Sequence, residues 1–134
     1  MENNLNIGVN SWKDKTILIA EDEDSNYRFL EMVLIRTGVR IIWAQDGVQA
    51  IEMAKNNNPD LILMDIKMPV MDGLEATREI KKIMPDVPII AQTAYAMESD
   101  EKICFDVGCS DYLSKPIRAK KLIEVVAKYL NESV

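Results

Sequence analysis

The chain has 134 residues, 48% of them hydrophobic and 28% charged, with 16 Lys and Arg against 22 Asp and Glu for a formal charge of −6. That length supports one domain with a real core, and the acidic balance argues against the basic stripe of a nucleic-acid module. No apolar run approaches the roughly 18 residues of a membrane span and no secretory signal opens the chain, so the expectation is a cytoplasmic protein without membrane or nucleic-acid partners.

Histidine is absent. Imidazole is therefore unavailable as base, nucleophile, zinc ligand or phosphate carrier. Cys104 and Cys109 fit neither a disulfide framework nor a metal-ligand spacing, and read as free thiols packed near a helix end.

In chain order, residues 1–15 are polar and asparagine-rich and read as a flexible leader or linker remnant, with Trp12 the residue suited to tuck against the domain. Short apolar runs then alternate with helical spacing. The runs Thr16–Ala20, Val39–Ala44, Leu61–Asp65, Val87–Thr93 and Asp111–Ser114 are bounded by turn residues and read as buried strands. The first helix aligns Tyr27, Leu30, Val33, Leu34 and Thr37, with Asp24 a candidate N-cap and Gly38 suited to its end. The second opens at Asp46, buries Ala50, Ile51 and Ala54, and stops before Pro59. The third follows Asp72-Gly73 with Leu74, Thr77, Ile80 and Met84 in line. The fourth lies near Glu98–Val107, and the last carries Leu122, Val125, Val126, Tyr129 and Leu130.

Five strand–helix units imply an α/β fold, a parallel sheet with helices on both faces. A closed barrel of eight units needs about 250 residues, so an open doubly wound sheet is expected. Ligands in such sheets sit at the carboxyl ends of the strands. The first strand is followed there by Glu21-Asp22-Glu23-Asp24, the third by Asp65, the fourth by Thr93 and Ala94, the fifth by Lys115 and Pro116. Asp65 ends an apolar run, where an ionised carboxylate is costly without compensation. Glu21, Asp22 and Asp65 together would repel, and a hard divalent cation relieves that; without His or suitably spaced Cys, Mg2+ is favoured over zinc. A carboxylate beside Mg2+, with a lysine, a hydroxyl and an amide to meet the equatorial oxygens, is suited to accept a phosphoryl group as an acyl phosphate.

These residues, with the run Asp65-Ile66-Lys67-Met68-Pro69-Val70-Met71-Asp72-Gly73, Thr93-Ala94 and Lys115-Pro116 in order, resemble the receiver domain of two-component response regulators over residues 16–131, leaving a tail at 132–134. The resemblance implies a three-layer, flavodoxin-like (βα)5 fold with strand order 2-1-3-4-5 and phosphorylation of Asp65. It implies Mg2+ bound by Asp22, Asp65 and the Lys67 carbonyl, with Glu21 acting through water where aspartate is more usual. It further implies Lys115 at the phosphoryl group, a cis Lys115–Pro116 bond, and a switch pairing Thr93 with Tyr112 that remodels the surface of helix four, strand five and helix five, the family's usual dimer face. Lys67 and Tyr95 would flank the path of an attacking water, so a long-lived phosphoryl group is expected. With no histidine here, the donor is a histidine kinase or a histidine phosphotransfer domain. The chain's end soon after the last helix leaves either a stand-alone receiver or one excised from a larger protein, and the motifs are similar to receivers of hybrid sensor kinases.

Competing readings fare worse. A flavin binder calls for Ser, Thr and Gly after the first strand, where this chain has four acids, and its scattered glycines make no dinucleotide fingerprint. An aspartate-nucleophile phosphatase needs a cap or more chain. An unphosphorylated interaction module would not need the full acceptor set.

Overall fold

The computed structural model describes residues 11–94 and 98–131. Five strands, β1 (Thr16–Ala20), β2 (Arg40–Ala44), β3 (Leu61–Asp65), β4 (Ile89–Thr93) and β5 (Asp111–Ser114), alternate with α1 (Asp24–Leu34), α2 (Gly47–Asn57), α3 (Gly73–Ile83), α4 (Glu98–Val107) and α5 (Ala119–Leu130). The strands form one parallel sheet in the order β2-β1-β3-β4-β5. The doubly wound expectation and its strand order are both realised.

Alternation along each strand divides the core into two. Ile17, Ile19, Leu61, Leu63 and Ile90 face α1 and α5, meeting Leu30, Leu34, Leu122 and Val126. Leu18, Ala20, Ile62, Met64, Ile89 and Ala91 face the other way, toward Ala50 and Ala54 of α2, Ala76 and Ile80 of α3, and Cys104. β3 is buried at every position, as a central strand covered on both faces must be. Among the described residues no helix is long and apolar enough to cross a membrane.

Several local expectations shift. Val39 and Val87 are buried but lie outside the strands; Pro88 has no N–H to give the ladder and instead accepts from Ile62 N at 3.0 Å. Asp24 does not cap α1. Glu23 occupies the cap position without a side-chain bond, and Asp24 pairs with Arg28 one turn on, at 2.8 Å. Asp46 and Asp72 do cap α2 and α3, accepting from Gln49 N at 2.8 Å and Glu75 N at 2.9 Å. Ile51, Leu74 and Met84 are half-buried rather than enclosed.

Within the stretch read as leader, Trp12 is 2% exposed and belongs to the α1–α5 core. Its amide donates to Thr37 O at 2.8 Å and its indole Nε1 to Asn131 Oδ1 at 2.9 Å, tying the entry of β1 to the end of α5. Residues 1–10 and the tail at 132–134 lie outside the described residues.

Candidate functional site

Parallel register brings the strand ends to one edge: Ala20 is level with Met64, Asp65 with Gln92, and Thr93 with Ser114. Glu21, directly after β1, is fully buried. Its amide donates to Ala44 O at 2.9 Å and its carbonyl accepts from Trp43 Nε1 at 2.7 Å. Trp43 is itself held by a parallel stack on Tyr27, ring centroids 3.9 Å apart. A carboxylate without water needs donors. Glu21 accepts from Glu23 N at 3.0 Å and from Asn26 Nδ2 at 2.5 Å, with Lys115 Nζ 3.5 Å away. Asn26 Nδ2 also donates to Gln92 Oε1 at 3.2 Å.

Asp65 is 3% exposed at the end of β3. Its Oδ2 accepts from Lys115 Nζ at 3.1 Å and its Oδ1 from Lys67 N at 3.2 Å. Burial pushes the Asp65 carboxyl up to about 7, and Glu21 adds to the rise against the pull of Lys115. For Lys115, burial alone would favour the neutral amine; the facing Asp65 and Glu21 carboxylates outweigh it and raise its pKa.

Asp22 stands exposed beside this buried pair, and oxygens of Glu21, Asp22 and Asp65 lie within 4.8 Å of one another. With all three ionised, Lys115 leaves an excess of two negative charges in one small volume. All-oxygen donors carrying such an excess suit a hard divalent cation, and a cation there would oppose the upward push on Asp65. The donor set therefore fits Mg2+.

Two glycines let the loop after Asp65 lie close. A Cβ at Gly73 would strike the Asp65 carbonyl, and one at Gly47 would strike the Met71 carbonyl, which accepts from Gly47 N at 3.0 Å. Between them Met71 N bonds Pro69 O at 2.7 Å in a three-residue turn centred on Val70, whose φ is 69°.

Thr93 is buried at the end of β4 and, with Ile66, Leu74 and Ile103, borders a cavity of about 60 Å³ between the loop and α4. Ala94 follows on the exposed edge. Tyr112 is half-buried on β5 and meets Phe105 of α4 edge to face at 6.4 Å. Lys115–Pro116 is cis. Lys67 is exposed, while Tyr95 lies outside the described residues. A larger groove of about 590 Å³ runs beside β5 and α5, past Tyr112, Ile117 and Lys121, and none of Glu21, Asp22 and Asp65 lines it.

The fold thus gathers Glu21, Asp22, Asp65 and Lys115 into one cluster, with Thr93 ending β4 at the same sheet edge. Asn26, Gln92 and Trp43 were not singled out from sequence. They reach Glu21, directly or through one another, from positions up to 71 residues away in the chain, and no local motif marks them.

Residues 17–127 match the family model of the response regulator receiver domain. The chain belongs to that family. The receiver is 36% identical over 121 residues to the polar-differentiation response regulator DivK of Brucella ovis, covering 89% of this chain and 98% of that protein. It is also similar to the receiver domain of sensor histidine kinase PA1611 from Pseudomonas aeruginosa PAO1, whose structure has a magnesium ion coordinated in the active site cleft. That likeness has 38% identity and a TM-score of 0.81, covering 87% of this chain and 98% of that one. The receiver domain of Ssk1 from Saccharomyces cerevisiae, solved with the histidine phosphotransfer protein Ypd1, is 27% identical with a TM-score of 0.84, over 89% and 90% of the two chains. The receiver is accordingly a signalling domain of the two-component type.

Proposed function

We propose that this receiver accepts a phosphoryl group on Asp65 from a phosphohistidine donor and relays the change to the α4–β5–α5 surface. The observation that carries this reading is the buried Asp65 carboxylate, with Lys115 Nζ at 3.1 Å and two further acids beside it. An Asp65 oxygen attacks phosphorus while the P–N bond to the donor imidazole breaks; the imidazole leaves and takes its proton from solvent, and Asp65 becomes an acyl phosphate. Asp22, Asp65 and the Lys67 carbonyl would hold Mg2+, with Glu21 acting through water, and the bound ion would supply positive charge toward the phosphoryl oxygens. Lys115 meets the same developing charge. The Thr93 hydroxyl and the Ala94 amide donate to it.

Thr93 moving toward the phosphoryl group frees space for Tyr112 to turn inward, altering its contact with Phe105 and hence the face offered to a partner or a second copy. Lys67 and Tyr95 screen the acyl phosphate from water, which favours a lifetime of many minutes. The donor is a histidine kinase or a histidine phosphotransfer domain, as the Ypd1-bound Ssk1 receiver illustrates for its own pathway. The DivK and PA1611 relatives support, respectively, a stand-alone receiver and the receiver of a hybrid kinase.

Intact mass after incubation with acetyl phosphate tests the reading. A gain of about 80 Da that requires both Mg2+ and Asp65 is expected, and is lost in Asp65→Asn. No gain under any condition contradicts it and leaves a receiver-shaped interaction module. Decay of the label within seconds contradicts the screening by Lys67 and Tyr95.

A further inference from the structure

Gln92 follows Ile89, Ile90 and Ala91 on β4, just before Thr93, and is fully buried. Among the described residues its Nε2 has no hydrogen-bond partner, as is also true of Thr77 Oγ1. What the side chain does do is accept, through Oε1, from Asn26 Nδ2 at 3.2 Å. Asn26 Nδ2 spends its other hydrogen on Glu21 Oε1 at 2.5 Å. Chemistry fixes the polarity of this chain of groups. Glu21, as a carboxylate, can only accept, so Asn26 must present its NH2, and the neighbour sharing that NH2 must present an oxygen.

From this relay we infer that Asn26 is a positioning residue for the Mg2+ site, holding the Glu21 carboxylate in place and tying it to Gln92, the residue before Thr93 on β4. Asn26 Nδ2 bonds Glu21 and Gln92, and not Asp65. It acts through Glu21, as the hydrogen-bond partners of metal-site carboxylates do. The link also joins the acidic loop after β1 to the strand that carries the switch hydroxyl, so the metal side and the switch side of the site share one hydrogen-bonded chain. The inference rests on the reading of Glu21, Asp22 and Asp65 as the Mg2+ site.

Isothermal titration of the 134-residue chain with MgCl2 tests it, with circular dichroism melts confirming the fold of each variant. Asn26→Ala is expected to weaken Mg2+ binding by about tenfold or more. Asn26→Leu, which preserves bulk, behaves alike and serves if the alanine variant does not fold. Asn57→Ala, at the far end of α2, is unchanged. Gln92→Leu alone weakens binding by about threefold and adds nothing on top of Asn26→Ala, because both act on one chain of bonds. Binding within twofold of wild type in both Asn26 variants overturns the inference, since a purely structural asparagine would change the melt and not the affinity. Full additivity with Gln92→Leu overturns the tie to β4. Absence of Mg2+ binding by the wild-type chain overturns instead the reading of the metal site, and the inference with it.

Discussion

Asp65 and Lys115 stand 50 residues apart in the chain and 3.1 Å apart in the fold. Each was legible beforehand for a physical reason: a carboxylate ending an apolar strand has to be compensated, and the doubly wound sheet says where its compensation comes from. Asn26 and Gln92 were not, because an asparagine in a first helical turn and a glutamine in a strand are ordinary residues until the strands are in register. The cysteines show a similar division. Both read from sequence as free thiols packed near a helix end, and both are buried and free. Burial pushes the Cys109 thiol up to about 12 and also raises Cys104. Thiol-reactive dyes at neutral pH are therefore expected to label the native receiver far more slowly than the urea-unfolded chain; equal rates would contradict this. The same shift sets a pH trend. Cys109 ionises in the unfolded chain near its ordinary 9.0 but in the folded one only near 12, so its contribution to stability is intact below pH 9 and falls as the pH rises through that window.

Among the elements, the loop joining β3 to α3 carries the clearest constraint. Its three-residue turn places a β-branched residue, Val70, at φ 69° while the residue is 83% exposed, so packing offers little in return. Val70→Gly is expected to stabilise the receiver by about 1 kcal/mol in urea denaturation, and Gly73→Ala to destabilise it by about 2 kcal/mol by forcing the loop off the Asp65 carbonyl. The reverse order would mean that the turn is not held as described. The five strands and five α-helices were readable from periodicity, because every strand carries buried apolar residues and every helix an amphipathic face; Ile35–Thr37, aligned by sequence with the first helix, instead forms a separate 3-10 turn after α1 ends at Leu34. Element ends were less so. They depend on which backbone groups find partners: Pro88 has no N–H to give, and Asp24 finds Arg28 rather than the helix amides.

At the scale of the whole molecule, the receiver closes on itself through the stretch before β1. A polar, asparagine-rich start suggests a leader up to residue 15 with Trp12 tucked against the domain, and Trp12 does fill the core between α1 and α5, bonding both Thr37 and Asn131. A lone aromatic in a polar stretch marks itself as the residue to bury, but which helices receive it, and the bonds to Thr37 and Asn131, only the fold supplies. Trp12→Ala should therefore cost about 3 kcal/mol of unfolding free energy, whereas a change below about 0.5 kcal/mol would return residues 11–15 to the leader. The sheet order, by contrast, is what the resemblance implies, the count of units giving only an open doubly wound sheet, and it delivers two acids, an aspartate, a threonine and a lysine to one edge. The claim that this edge is a phospho-acceptor site is tested most directly by locating the modified residue. After phosphorylation by a small phosphodonor with Mg2+, borohydride reduction and peptide sequencing by mass spectrometry should find homoserine at position 65 and nowhere else. Homoserine at another aspartate, or Asp65 recovered unreduced from phosphorylated protein, would contradict the account.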